Sequence, residues 1–227
     1  MLQLVPSMSH KRAGTGDTPA LSGEVFGALI NLSGRRRFTS QRLVLYAVLA
    51  SLGHDNALDV SREALQLFCD AHHGLVDGSD TLPGVFCDEL HAVYFGKAEG
   101  DRHIRDFIQL AERTLEAIQS GSRQAPTLLD QLVLNATPML AVLNRITQVY
   151  EDLAKRHAVQ MRKQLRGIMA DIESIAKQAR MVSFNAQIVA ARAGQAGREF
   201  SVVAGVLSDI TGEIDGLVRA ALNSSAA

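Results

Sequence analysis

The chain has 227 residues, is 47% hydrophobic and 21% charged, and carries a formal net charge of -1. That length suits one or two domains, and the near-neutral balance leaves no electrostatic footprint for nucleic acid or an anionic membrane surface. With only Cys69 and Cys87, no secretion signal and no apolar run near the roughly 20 residues of a membrane helix, the sequence predicts a cytoplasmic protein without membrane insertion.

Residues 1–36 hold Pro6, Pro19, several glycines and no sustained period, and are expected to form a disordered leader. Arg35, Arg36 and Arg37 close it and read as a solvated approach to the first helix. From 37 to 125 the apolar spacing is helical throughout, which predicts a small sensory or docking bundle with helices at about 40–53, 60–73, 81–96 and 101–120. The fourth is the clearest, because Ile104, Phe107, Ile108, Ala111, Leu115 and Ile118 fall on one stripe.

Residues 126–227 form the second part. A short helix over 127–135 is followed by Thr137 as N-cap and Pro138 at the first helical position, where the missing N–H costs nothing. One long helix from about 138 to 193 is expected from there. Within it Met161, Leu165, Ile168, Ile172, Ile175, Ala179, Val182, Ala186 and Val189 alternate spacings of 4 and 3, a sustained heptad seam. After Gly194 to Gly197 the seam resumes at Phe200, Val203, Leu207, Ile210, Ile214, Leu217 and Ala221. Two such arms bury their stripes most simply by folding back on each other as an antiparallel coiled coil. The predicted fold class is therefore all-α: a small N-terminal helical bundle followed by a long antiparallel coiled-coil hairpin. The shorter return arm covers the outgoing helix only back to about residue 167, so residues 138–166 must find cover on the N-terminal bundle or on a dimer partner.

Two segments of the N-terminal bundle are alike. In Phe68 to His73 and Phe86 to His91 a cysteine precedes a histidine by four positions, one helical turn apart on one face. Two antiparallel helices would then bring Cys69, His73, Cys87 and His91 into a closed Cys2His2 zinc site. Ordinary buried core cysteines, a redox-sensing cysteine pair, and haem held by His54, His72 or His103 are the competing readings. No phosphate-binding glycine loop, nucleophile elbow or paired carboxylates stand in the required context, so no enzyme is expected.

The stretch IESIAKQARMVSFNAQIVAARAGQAGREFSVVAGVL, from Ile172 to Leu207, carries the elements AARAG, GRxF and VVA without a gap. It resembles the tip of the methyl-accepting chemotaxis protein signalling domain. The resemblance implies signal transduction in chemotaxis by a homodimer, two hairpins forming a four-helix bundle. It also implies contact of the tip with a histidine kinase and its coupling protein. Carried over residue by residue, Phe184, Asn185, Ile188 and Arg192 match contacts between receptor dimers. The turn from Gly194 and the residues Gly197, Arg198, Phe200 and Val203 lie near the coupling-protein surface. Val189, Gln195 and the pair Gly205–Val206 stand where the family has acidic residues, which removes salt-bridge partners for Arg192 and Arg198. No Glu/Gln pair flanked by small residues occurs where the family is methylated, so adaptation by methylation is not expected.

Overall fold

The structure is a computed structural model and describes residues 21–224. Its described residues form six α-helices and no strand: α1 (Gly23–Ser51), α2 (Ala57–Val76), α3 (Asp88–Phe95), α4 (Gly100–Gln119), α5 (Ala125–Arg192) and α6 (Arg198–Ser224), with a 3-10 turn at Gly194–Gly197 between the last two. The all-α expectation holds. The chain divides into two compact units, one ending at Ala154 and the other running from Lys155, with the division inside α5.

The first unit is a helical bundle whose core joins α1 through α4 to the start of α5. Leu29, Leu43 and Ala47 of α1, Phe68 and Leu75 of α2, Leu90 and Tyr94 of α3, and Ile104, Phe107, Ala111 and Leu115 of α4 are all buried. They meet Leu132, Met139, Leu143, Ile146 and Tyr150 of α5. Each large apolar side chain removed from water stabilises the bundle by about 1.5–3 kcal/mol. The α4 stripe behaves as its spacing predicts. The segment 138–154 finds its cover here, on α1 to α4.

Several expectations about this unit are corrected. The helix starts at Gly23, capped by the Ser22 hydroxyl, which accepts from the Val25 N–H at 3.3 Å. Residues 23–36 are therefore helix and not leader, and the rest of the expected leader, residues 1–20, lies outside the described residues. Arg36 does not approach the helix in solvent: it is among the most deeply buried side chains of the chain.

The helix expected over 81–96 shrinks to Asp88–Phe95. Gly84 has φ +69, and a Cβ there would come within 2.9 Å of the Val76 carbonyl oxygen, so this glycine closes a turn against the end of α2. The backbone bond from Val85 N–H to Val76 O, at 3.1 Å, fixes that turn.

Thr137 is not a cap. Pro138 sits inside a continuous α5, which forgoes one backbone hydrogen bond at a cost of about 3 kcal/mol. Burial of Leu132 before it and of Met139 and Leu143 after it holds both sides of the interruption to the same core.

By length and composition α5 also qualifies as a candidate membrane-crossing helix. Of its apolar residues, Leu132, Met139, Leu143, Ile146 and Tyr150 pack in the core of the first unit.

The second unit is a helical hairpin. α5 ends at Arg192, the glycine-bracketed tetrapeptide forms the turn, and α6 returns. Gly194, at φ +59, takes the left-handed conformation that ends a helix at little cost.

Candidate functional site: the hairpin and a buried polar hub

The inner seam of the hairpin is not the large-residue heptad stripe. Ala176, Ser183 and Ala190 of α5 are 4%, 0% and 3% exposed, whereas Ile175, Val182 and Val189 are 64%, 62% and 62% exposed. On α6, Ala204, Thr211 and Val218 are buried, and Phe200, Val203, Leu207, Ile210 and Leu217 are exposed. Both inner rows step by seven residues. The Ser183 hydroxyl donates to the Ala204 carbonyl, tying the arms in register. At the turn a Cβ on Gly197 would overlap the Ala190 carbonyl oxygen, so the arms approach there as closely as a glycine allows.

The expectation that each arm buries its large stripe on the other is thereby corrected. Small side chains line the inside because they let two helix backbones come close, and the bulky residues are turned outward. Heptad spacing marks a buried face; it does not say which of two neighbouring stripes the hairpin itself uses.

The tip residues singled out from the sequence fall as follows. Phe184, Asn185, Ile188 and Arg192 are exposed on the last turns of α5. Gly194 lies in the turn with Gly197, which is buried. Arg198, Phe200 and Val203 are exposed on the first turns of α6. The tip therefore offers aromatic, aliphatic and cationic side chains to solvent within a few turns on each side of one bend. Farther along the hairpin, Lys177 lies 2.7 Å from Glu173, and its ammonium holds the Glu173 carboxyl below the usual carboxylate range.

The proposed Cys2His2 set is not assembled. Among the described residues no three His, Cys, Asp or Glu side chains gather in a way that could hold a metal ion. Cys87 is the N-cap of α3 in extended backbone (φ -144, ψ 164), and its thiol meets the backbone N–H groups of Glu89 and Leu90 at the helix start instead of sharing a helical face with His91. His73 and His91 are exposed, and Cys69 and Cys87 are half-buried at the edge of the core. Burial, followed by the charges of Glu112 and Asp70, pushes the Cys69 thiol up to about 11; burial also raises Cys87. As haem ligands the histidines fare no better. His54 and His103 are exposed, and both ring nitrogens of His72 are engaged.

What the sequence reading missed is a buried polar hub in the first unit. Arg36 Nη1 lies 3.1 Å from His72 Nδ1, and His72 Nε2 lies 3.0 Å from Asp101 Oδ1. A guanidinium only donates, so Nδ1 accepts and Nε2 carries the proton given to Asp101. His72 is thus neutral: burial and the Arg36 charge push it down to about 4, against the opposing pull of Asp101.

Arg36 Nη2 donates to Tyr94 Oη at 3.0 Å and to Ser33 Oγ at 3.3 Å. Each hydroxyl then has its single proton to pass on. Tyr94 gives it to Tyr150, 3.3 Å away, and Tyr150 to the Leu75 carbonyl at 3.5 Å. Burial and the neighbouring Tyr94 hold the Tyr150 phenol well above its ordinary range, so it remains a donor. Ser33 gives its proton to Thr147 at 2.8 Å, and Thr147 to the Leu143 carbonyl at 2.9 Å. Asp101 also receives Arg105 Nε at 2.8 Å. The only sequence signal of this hub was a cation at a helix position facing inward, which the adjacent arginines masked.

A depression of about 300 Å³ lies between α4 and α5, floored by Phe107 and Met139 and rimmed by His103, Asp106 and Asn135.

Comparison with known proteins bears on the hairpin. No curated protein and no solved structure matches the chain. The family model of the methyl-accepting chemotaxis protein (MCP) signalling domain matches residues 130–215, from the part of α5 packed on the first unit to the middle of α6. Residues 130–215 are thus similar to the signalling domain of the methyl-accepting chemotaxis proteins, a match that supports a chemoreceptor-like role in signal transduction.

Proposed function

We propose that the protein is a cytoplasmic chemoreceptor-like transducer that works as a homodimer. Its hairpin tip, through Phe184, Asn185, Ile188, Arg192, Gly194, Gly197, Arg198, Phe200 and Val203, contacts a chemotaxis histidine kinase and its coupling protein. The bundle before α5 receives the signal, and adaptation by methylation plays no part. The observation that supports this best is the outward-facing large-residue stripe of the hairpin. A continuous exposed row of Ile, Val, Leu and Phe on both arms calls for a covering surface, and a second hairpin of the same sequence supplies one of matching length and period.

The test is capture of the kinase and coupling protein by the full chain, comparing wild type with Arg192→Ala and Phe200→Ala. The proposal expects capture by wild type and at least tenfold less by either variant, the scale of a hot-spot side chain (about 1.4 kcal/mol or more). No capture by any form, in protein shown to be folded, would favour a scaffold that keeps the hairpin without kinase control. The losses of acid at Val189, Gln195 and Gly205–Val206 point the same way.

A further inference from the structure

We propose that the Arg36 hub is the latch that fixes the rotational setting of α5, and that a change in α1 to α4 reaches the hairpin by rearranging it. Two of the three hydrogen-bond chains leaving Arg36 end on α5 or pass through it. One runs through Thr147 to the Leu143 carbonyl, the other through Tyr150. Leu143, Thr147 and Tyr150 are spaced four and three apart, so they lie on one face of α5. A turn of that helix by one residue, about 100°, carries both acceptors away from Ser33 and Tyr94 together. The two buried hydroxyls that accept from Arg36 would then lose their own acceptors at once.

Intermediate rotations are disfavoured for the same reason, because the buried Ser33 and Tyr94 hydroxyls would each be left with an unpaired proton until new acceptors are met. The arrangement is therefore two-state in character and not continuously deformable. Arg36 also holds a donor in reserve. Its Nε is buried and has no acceptor in this arrangement, so a second arrangement has a hydrogen bond to gain. The counter-charge sits one imidazole away, at Asp101 of α4, which Arg105 shares at the surface edge. Displacing α4 or α2 thus bears on the same cation as rotating α5.

This latch deepens the signalling reading, yet its test needs no kinase. Amide hydrogen exchange is measured on the full chain for wild type, Tyr150→Phe, Thr147→Val and the control Thr114→Val. The first two each remove one oxygen or exchange it for a methyl of similar size. Thr114 is a buried hydroxyl on α4 that bonds to Leu110 O at 2.7 Å and to Leu128 O of α5 at 3.4 Å, so it controls for the loss of an α4–α5 bond outside the hub. The latch predicts exchange about fivefold or more faster in α5 between residues 155 and 192 for the two hub variants, as expected for one lost hydrogen bond. Exchange in α1 and α2 should be unchanged, and Thr114→Val should leave 155–192 as in wild type. Unchanged exchange over 155–192 in both hub variants overturns the proposal. So does an equal rise in α1 and α2, or in the control, since either marks general loosening of the bundle.

Discussion

Arg36 on α1 and His72 on α2 meet at 3.1 Å with neither side chain reaching solvent, and the imidazole is held neutral between a cation and a carboxylate. A histidine whose folded pKa is depressed favours unfolding when it must take up a proton. Its share of stability is fully present above the unfolded value of about 6.5 and is lost as pH falls toward the folded value of about 4. Across that window the loss amounts to about 3 kcal/mol. Urea unfolding at a series of pH values should show a steeper fall for wild type than for His72→Gln between pH 6.5 and 4. Parallel curves would mean that His72 is charged in the fold.

At the hairpin turn, Gly197→Ala should destabilise the second unit by about 1–3 kcal/mol, since the added methyl must displace the Ala190 backbone. Gly205→Ala, where a Cβ meets nothing within 4 Å, is the matched control. Exchange of α6 amides reads the difference. Equal behaviour of the two variants would contradict the close approach of the arms.

The half-buried cysteines should react slowly. With Cys69 pushed up to about 11, its thiolate at pH 8 is about a hundredfold scarcer than for the ordinary thiol. Disulfide exchange with an aromatic reagent should be slow in the folded chain and fast in denaturant. A rapid reaction at Cys69 in the native state would restore the redox-sensing reading.

Much of the fold is legible in the sequence because burial imposes a period. The α4 stripe, the glycine-bracketed turn and the heptads of both arms all followed from spacing. What spacing misjudged has physical causes. Pro138 is carried inside a helix because burial on either side outweighs one lost backbone bond. Gly84 marks a turn through a contact with Val76 that only the tertiary fold creates. Arg36, one of three adjacent arginines, looked solvated because its partners His72 and Tyr94, on two other helices, are invisible in its local sequence. The cysteine and histidine pairs assumed a helix over Cys87 that the chain does not form. The tip was readable from the resemblance, whereas the choice between its two heptad stripes depends on side-chain size at Ala176, Ser183 and Ala190.

The outward stripe also makes a sharp mutational prediction. Charge placed on it at Val182→Glu should leave the inner seam of Ser183 and Ala190 intact while making the exposed face incompatible with a second hairpin. Helical content by circular dichroism should change little and self-association should weaken at least a hundredfold, about 2.7 kcal/mol. An unaltered association constant would place the interface elsewhere.

The most direct measurement of the account is the mass of the full chain in dilute solution by light scattering, with Val182→Glu alongside. The account predicts a wild-type mass of twice the 24.5 kDa chain and a shift of the variant toward a single chain. A wild-type chain that remains a monomer at concentrations well above the micromolar range would contradict it, because the large-residue stripe would then have no hairpin to cover it.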